Sequence, residues 1–244
     1  MMNVNCGEKD NMIIYNLNVN GYEVKAEYHQ EDIDTIFIPL LDKIKQIQSV
    51  KNRRIFVFLA GPAGCGKSTL GLVLEKLAKD KGMSMQCVGL DGFHFKQSYL
   101  EQHGLANIKG HHTTFDVMLL KQKLEDAYLA DCYFPIYSRK IYNPIDDAVL
   151  IHQDIILIEG NYLLLNEVGW NELYAYCDYS IFISCEKEVV KQRLIDRKCK
   201  GGYTYEQAYK HYVESDSKNV ELILEKSINM NVCLKYDGER YCIK

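Results

Sequence analysis

The chain of 244 residues lacks most of the features that would place it outside the common run of folded domains. No apolar run approaches the ~20 residues of a membrane-spanning helix, so no helical membrane span is expected. A basic excess is missing as well. The 29 Lys and Arg stand against 33 Asp and Glu, a formal charge of −4. That balance lacks the cationic footprint of a protein that grips phosphate backbones, and nucleic acid is not expected as a partner. The nine cysteines form no C-x-x-C pair, and the seven histidines do not join them at zinc spacing. Neither a disulfide framework nor a structural metal is indicated. The opening stretch MMNVNCGEKDN has no signal-peptide core, so reduced thiols and a cytoplasmic location are the expectation. No internal repeat or low-complexity tract is visible. What is present, 47% hydrophobic and 25% charged residues, is the average composition of a soluble folded domain.

Over 13–28 apolar and polar residues alternate around Asn20-Gly21, which predicts a β-hairpin. From Glu31 to about Ile47 the apolar residues Ile33, Ile36, Phe37, Leu40, Leu41, Ile44 and Ile47 recur at helical spacing, with a kink expected at Pro39. The polar stretch Gln48 to Arg54 then divides an N-terminal appendage, 1–50, from a larger unit, 54–244. Short apolar strands follow at 55–60, 85–90, 155–160, 179–184 and 232–236. Helical patterns lie between them at 67–81, 114–129, 186–198 and from Tyr205 into the 220s. The alternation predicts an α/β fold of βαβ units, a mostly parallel sheet with helices on both faces. An exposed hairpin edge leaves room for a homodimer.

The decisive segment is IFVFLAGPAGCGKSTL, where Gly61-x4-Gly66-Lys67-Ser68 sits between a buried-type strand and an amphipathic helix. This is the P-loop pattern in its required context. Glycines let successive backbone N–H groups turn toward phosphate oxygens, and the helix beginning at Lys67 aims its positive end at the same anion. ATP is therefore expected against Gly61, Pro62, Ala63, Gly64, Cys65, Gly66, Lys67, Ser68 and Thr69. Lys67 would reach the outer phosphates and Ser68 would ligate Mg²⁺. Modification of Cys65 would be expected to interfere with nucleotide binding.

Two acids end strands. Asp91 follows MQCVGL, where it could take the proton of an attacking hydroxyl or hold water on the metal; an Asp-Gly turn is the plain alternative. Glu159 ends IILIE, as an acid that neutralises or orients Mg²⁺ does. The run KGHHTTFD brings Lys109 and Asp116 to a helix start, where Thr113 or Thr114 could equally serve as N-cap with Asp116 in the first turn. Arg193, Arg197 and Lys200 fall on one helical face. They make either a solvated face paired with Glu186, Glu188 or Asp196, or a lid over ATP with a hinge at Gly201-Gly202.

In order, GPAGCGKSTL, LDGFHF, KGHHTTFD, PIYSRKIYNP, IILIEGNYLLL and RLIDRK resemble the uridine kinase, pantothenate kinase and phosphoribulokinase group of P-loop kinases over about 54–236. The chain looks most like that group's bacterial nucleoside or nucleotide kinase-like branch. The resemblance implies ATP, Mg²⁺, a parallel five-stranded core with a lid, and transfer to a hydroxyl of a small molecule. It implies Lys67, Asp91, Arg193 and Arg197 as catalytic residues and Ser68 with Glu159 at the metal. The substrate-side positions it implies are His94, Lys109, Asp116, Tyr137, Arg139, Asn161 and Tyr162. The sequence departs from the group at His112 in place of a proline, at Ser138 in place of an aspartate and at Tyr142 in place of a histidine. All three fall on the acceptor side.

A small-molecule kinase with a nucleoside-like acceptor such as uridine, or next a sugar, is the resulting expectation. The alternative is a regulatory NTPase whose nucleotide turnover controls a protein partner. Guanine specificity has no support, because the K-x-D at Lys235–Asp237 has Leu234 where a guanine reader needs Asn or Thr. A catalytically dead binding module is disfavoured by the presence of Lys67, Ser68, Asp91 and Glu159 together.

Overall fold

The computed structural model describes residues 11–19 and 21–244. The hairpin turn residue Asn20 and the stretch with Cys6 lie outside the described residues. Strands β1 (Met12–Val19) and β2 (Tyr22–His29) pair antiparallel with Val19 opposite Tyr22, the hairpin the alternation predicts. A continuous helical stretch follows through α1 (Gln30–Asp32), a π-helical turn (Ile33–Phe37) and α2 (Ile38–Lys51). The π turn is the form the Pro39 disturbance takes. Proline cannot donate to the carbonyl four residues back, and its ring crowds that carbonyl; the wider turn removes both problems. The helix also continues through Gln48–Lys51, which the polar composition had suggested as linker, and ends on Asn52 in the left-handed region (φ 48°).

The central sheet has the order β10-β9-β8-β3-β7-β4, built from β3 (Ile55–Ala60), β4 (Met85–Gly89), β7 (Ile155–Gly160), β8 (Tyr179–Cys185), β9 (Val232–Tyr236) and β10 (Tyr241–Ile243). Five strands run parallel, and β10 adds an antiparallel edge. Around them lie α3 (Lys67–Asp80), α4 (Gln97–Gln102), α5 (Val117–Leu129), α6 (Lys187–Lys200), α7 (Tyr205–His211) and α8 (Ser217–Lys226). A second π-helical turn (Tyr212–Asp216) joins α7 to α8. β5 (Cys132–Ser138) and β6 (Asn143–Ile151) form a further antiparallel hairpin.

The sheet separates two cores because successive strand side chains point to opposite faces. Ile55, Val57 and Leu59 of β3 join the cluster containing α3 and the N-terminal Tyr15, Tyr28, Phe37 and Leu41. Phe56, Phe58 and Ala60 join the other, with Phe93, Phe134, Tyr162 and Trp170. Each wholly buried Phe contributes on the order of 1.5–3 kcal/mol. The N-terminal helix is also tied to the last strand. Arg240 donates to Asp32 Oδ1 at 2.7 and 2.9 Å, and Tyr241 N–H to Asp32 Oδ2 at 2.9 Å.

Asp178 fixes the start of β3. Its carboxylate is 3% exposed and accepts from Lys51 (2.5 Å), Arg53 (2.6 and 3.0 Å) and Phe56 N–H (2.9 Å). Burial alone would raise its pKa, but the bonds from Arg53 and Lys51 outweigh burial and hold it below the usual carboxylate range. A depressed folded pKa means the stabilisation is complete above the unfolded value of about 3.9 and is lost as pH falls through the folded one. Asp178→Ala should cost about 3 kcal/mol, because it strands a buried N–H and the guanidinium. In urea unfolding, the gap between wild type and variant should narrow below about pH 4.

Candidate active site

The carboxyl ends of the parallel strands meet along one edge of the sheet, where open α/β sheets bind ligands. There β3 runs into the P-loop. Gly61 (φ 150°) lies so close to β8 that a Cβ would stand 2.5 Å from the Ile183 carbonyl oxygen, which is why this position takes no side chain. Gly66 N-caps α3. Lys67 is buried and donates to the Pro62 carbonyl (2.9 Å), so the ammonium curls over the loop's own backbone. Cys65 is wholly buried; burial pushes its thiol pKa up although Lys67 pulls it down. Modification here would be expected to interfere with nucleotide binding, but a buried, protonated thiol is slow toward oxidants and alkylators.

Ser68 Oγ donates to Glu159 Oε1 at 2.7 Å, which joins the first turn of α3 to the end of β7. Burial raises the Glu159 pKa, Lys67 opposes this, and the charge of Asp91 adds to it. A hydroxyl at the start of α3 and one acid at the end of β7 suit Mg²⁺, which binds through few protein oxygens and keeps phosphate and water for the rest. Among the described residues no cluster of three or more His, Cys, Asp or Glu could hold a metal ion.

Asp91 sits in the single 3₁₀ turn Leu90–Phe93 that follows β4. Its Oδ2 accepts from Arg139 at 3.2 Å, an ion pair in which Arg139 is 35% and Asp91 41% exposed. The turn is held against β5 at Gly92, where a Cβ would lie 2.2 Å from the Pro135 carbonyl oxygen. Gly92→Ala must therefore push the Asp91 turn away from the hairpin. The expected result is a stability loss of about 1–3 kcal/mol in thermal melts and a fall in kcat larger than that loss of fold explains.

His94 packs against Phe115 at a tilt of 35° (3.8 Å between ring centroids) and lies 5.3 Å from Tyr137. Its Nδ1 is 2.9 Å from the Asp91 carbonyl. A carbonyl only accepts, so Nδ1 carries the proton. Burial lowers the His94 pKa, with Asp91 opposing, which leaves a neutral ring with Nε2 as acceptor. Lys109 donates to Gln97 Oε1 (3.0 Å) and to the Tyr142 carbonyl (2.8 Å). Tyr137 lies 5.4 Å from the Lys109 ammonium and 5.9 Å from the Arg139 guanidinium. Asp91, His94, Lys109, Tyr137 and Arg139 thus share one locality.

Other candidates are placed differently. Asp116 is itself the N-cap of α5, accepting from Leu119 N–H at 2.8 Å, so neither Thr113 nor Thr114 has that position. Tyr162 is fully buried and donates to the Gly110 carbonyl (2.7 Å), holding the 109–116 loop from beneath. Asn161 is half-buried just after β7. The acids suggested as partners of a solvated α6 face go elsewhere: Glu188 pairs with Lys191 and Glu186 with Lys235, while Asp196 accepts from Gln192. Arg193 donates to Tyr236 Oη (2.8 Å) and to the Gly64 carbonyl (3.4 Å), which binds α6 to the P-loop. Arg197, one turn on, is exposed overall. Partial burial of its guanidinium and the charge of Arg139 lower its pKa, against Asp216 and Asp91.

Three neighbours carry no signal in the sequence. Asn18 and Val19, at the hairpin tip, help line a cleft of about 130 Å³ with Ser68, Leu72, Gly89 and Glu159. Tyr241, from the last strand, has its hydroxyl 3.6 Å from where a Gly66 Cβ would stand.

The chain is 38% identical over 226 residues to "Uncharacterized protein YggC" of Escherichia coli (strain K12), an alignment covering 91% of this chain and 95% of that one. It is 27% identical over 199 residues to "Putative uridine kinase C227.14" of Schizosaccharomyces pombe, covering 75% and 83% of the two chains. A crystal structure described as a putative fructose transport system kinase from Silicibacter sp. TM1040 superposes with a TM-score of 0.76 at 26% identity, covering 82% of this chain and 98% of that one. The chain belongs to the uridine kinase and pantothenate kinase-like group of P-loop kinases. No family model matches it. As a P-loop kinase it is a phosphotransferase acting on an alcohol group of a small molecule, with ATP and a divalent cation implied by its kin. No helix among the described residues is long and apolar enough to cross a membrane.

Proposed function

We propose that this P-loop kinase uses Mg²⁺ and the P-loop to hold ATP, and Asp91 to accept the proton of an acceptor hydroxyl as its oxygen attacks the γ-phosphorus. The new O–P bond forms as the bond from the γ-phosphorus to the β,γ-bridging oxygen breaks, and ADP leaves with that electron pair. Lys67 follows the outer phosphates, and Arg197 spreads charge on the transferring group. Arg193 positions α6 through Gly64 and Tyr236. Ser68 and Glu159 would hold the cation, which when bound supplies charge neutralisation on the phosphates. The observation that carries this assignment is the Asp91 carboxylate, ion-paired with Arg139 at 3.2 Å on the same strand-end edge as the Ser68–Glu159 bond of 2.7 Å.

A nucleoside acceptor is suggested by the name of the S. pombe relative and a sugar by that of the Silicibacter structure. ADP release measured across nucleosides, pantothenate and simple sugars tests the proposal. Stimulation by one acceptor class is expected. ATP hydrolysis indifferent to every acceptor, but stimulated by a protein, would instead identify a regulatory NTPase.

A further inference from the structure

Lys109 is a partly buried cation whose hydrogen-bond partners are neutral. Its ammonium donates to the Gln97 amide oxygen and the Tyr142 carbonyl, and among the described residues no carboxylate lies within ion-pair distance. The acid that acts on it from farther off is Glu101. That carboxylate is engaged by Gln97 Nε2 at 3.0 Å, so an amide stands between the two charges. Other lysines near this hairpin are treated differently: Lys96 pairs with Asp146 (2.6 Å) and Lys123 with Asp147 (2.7 Å). Burial pushes the Lys109 pKa down, with Glu101 opposing. The carbonyl that holds the ammonium belongs to Tyr142, a bulky residue at φ 51°, a conformation that persists only where its surroundings impose it.

The second cation at the Tyr137 ring, Arg139, has Asp91 as its ion-pair partner. If Asp91 takes a proton during transfer, that partner loses its charge. Lys109 and Arg139 then both face the acceptor with no counter-charge, beside a neutral His94 ring. Partly buried cations left without a counter-charge are disfavoured, and a neutral acceptor does nothing to offset them.

We infer that the acceptor carries an anionic oxygen group, a carboxylate or a phosphate ester, bound by Lys109 beside Tyr137 while its reacting hydroxyl rests on Asp91. The inference builds on the transfer chemistry proposed above and adds the charge class of the substrate. Lys109 acts here as a specificity-determining residue.

The test uses matched pairs differing in one anionic group: glycerate and glycerol, gluconate and glucose, fructose 6-phosphate and fructose, uridine monophosphate and uridine. The first two pairs present a carboxylate and the last two a phosphate ester, so the arms separate the two sources. ADP release gives kcat/KM, and calorimetry with a non-hydrolysable ATP analogue and Mg²⁺ gives acceptor affinity independently of turnover. The charged member should be preferred in at least one pair by about 10- to 100-fold, the range expected for a hydrogen bond to a charged group. Lys109→Gln should collapse that ratio, and Lys109→Arg should restore part of it. A purely structural lysine would instead lower both members equally. Preference for the neutral members, a charged preference that survives Lys109→Gln, or no binding of any charged member would overturn the inference. Turnover confined to neutral members would overturn it while leaving the kinase chemistry standing. Lys109-dependent binding of a charged member, with no transfer to any compound, would uphold the anion site and refute the transfer chemistry.

Discussion

Asp91→Asn should leave ATP binding close to wild type and lower phosphoryl transfer by about 10²- to 10⁴-fold. The substitution keeps the shape of the side chain and an oxygen for Arg139, 3.2 Å away in the native protein, but removes the group that can take a proton. The Asp91 backbone carbonyl still accepts from His94 N–H (3.2 Å) and from its ring Nδ1 (2.9 Å), so the turn after β4 should survive. Calorimetric titration with ATP should therefore be unchanged while single-turnover transfer falls. Turnover near wild type would remove Asp91 as the base and leave it as a turn residue.

The second large effect is expected at Lys67. Removing its ammonium with Lys67→Ala takes away the donor proposed to reach the outer phosphates, and loss of one preorganised donor lowers rates by about 10²- to 10³-fold. The buried ammonium also closes on the Pro62 carbonyl at 2.9 Å, so part of the loss should come from a looser loop. Two readouts separate the effects: ATP affinity by titration reports loop geometry, and transfer from bound ATP reports charge stabilisation at the moving phosphoryl group. A variant with unaltered transfer would remove Lys67 from the phosphate site.

Much of this site was legible in the sequence because its parts are local. Gly61 to Ser68 are contiguous, and the strand before and the helix after them set the loop's form. Asp91 and Glu159 were visible because one lies just beyond an apolar run and the other at the end of one, and strand ends gather at one edge of a parallel sheet. The β5–β6 hairpin was not legible. Pro135 and Pro144 fall inside its strands, where proline argues against a strand. Pro135 is accommodated at the register shift between Phe134 and Ile136. Nor could spacing show that Arg193 would bond across the fold to Gly64 and Tyr236, or that Asp116 would itself cap α5. Such pairings depend on tertiary packing, and a single sequence carries them only as side chains with several local uses. The same holds for the N-terminal hairpin, whose tip residues Asn18 and Val19 border the cleft beside Ser68 and Glu159. Nothing in IIYNLNVNGYEVKAEY announces that position.

The fate of the γ-phosphate tests the central claim most directly. With γ-labelled ATP, Mg²⁺ and the acceptor panel, the account predicts that label appears as a phosphate ester on the acceptor and that Asp91→Asn abolishes its appearance. Label recovered only as inorganic phosphate, at a rate indifferent to every acceptor, would contradict it.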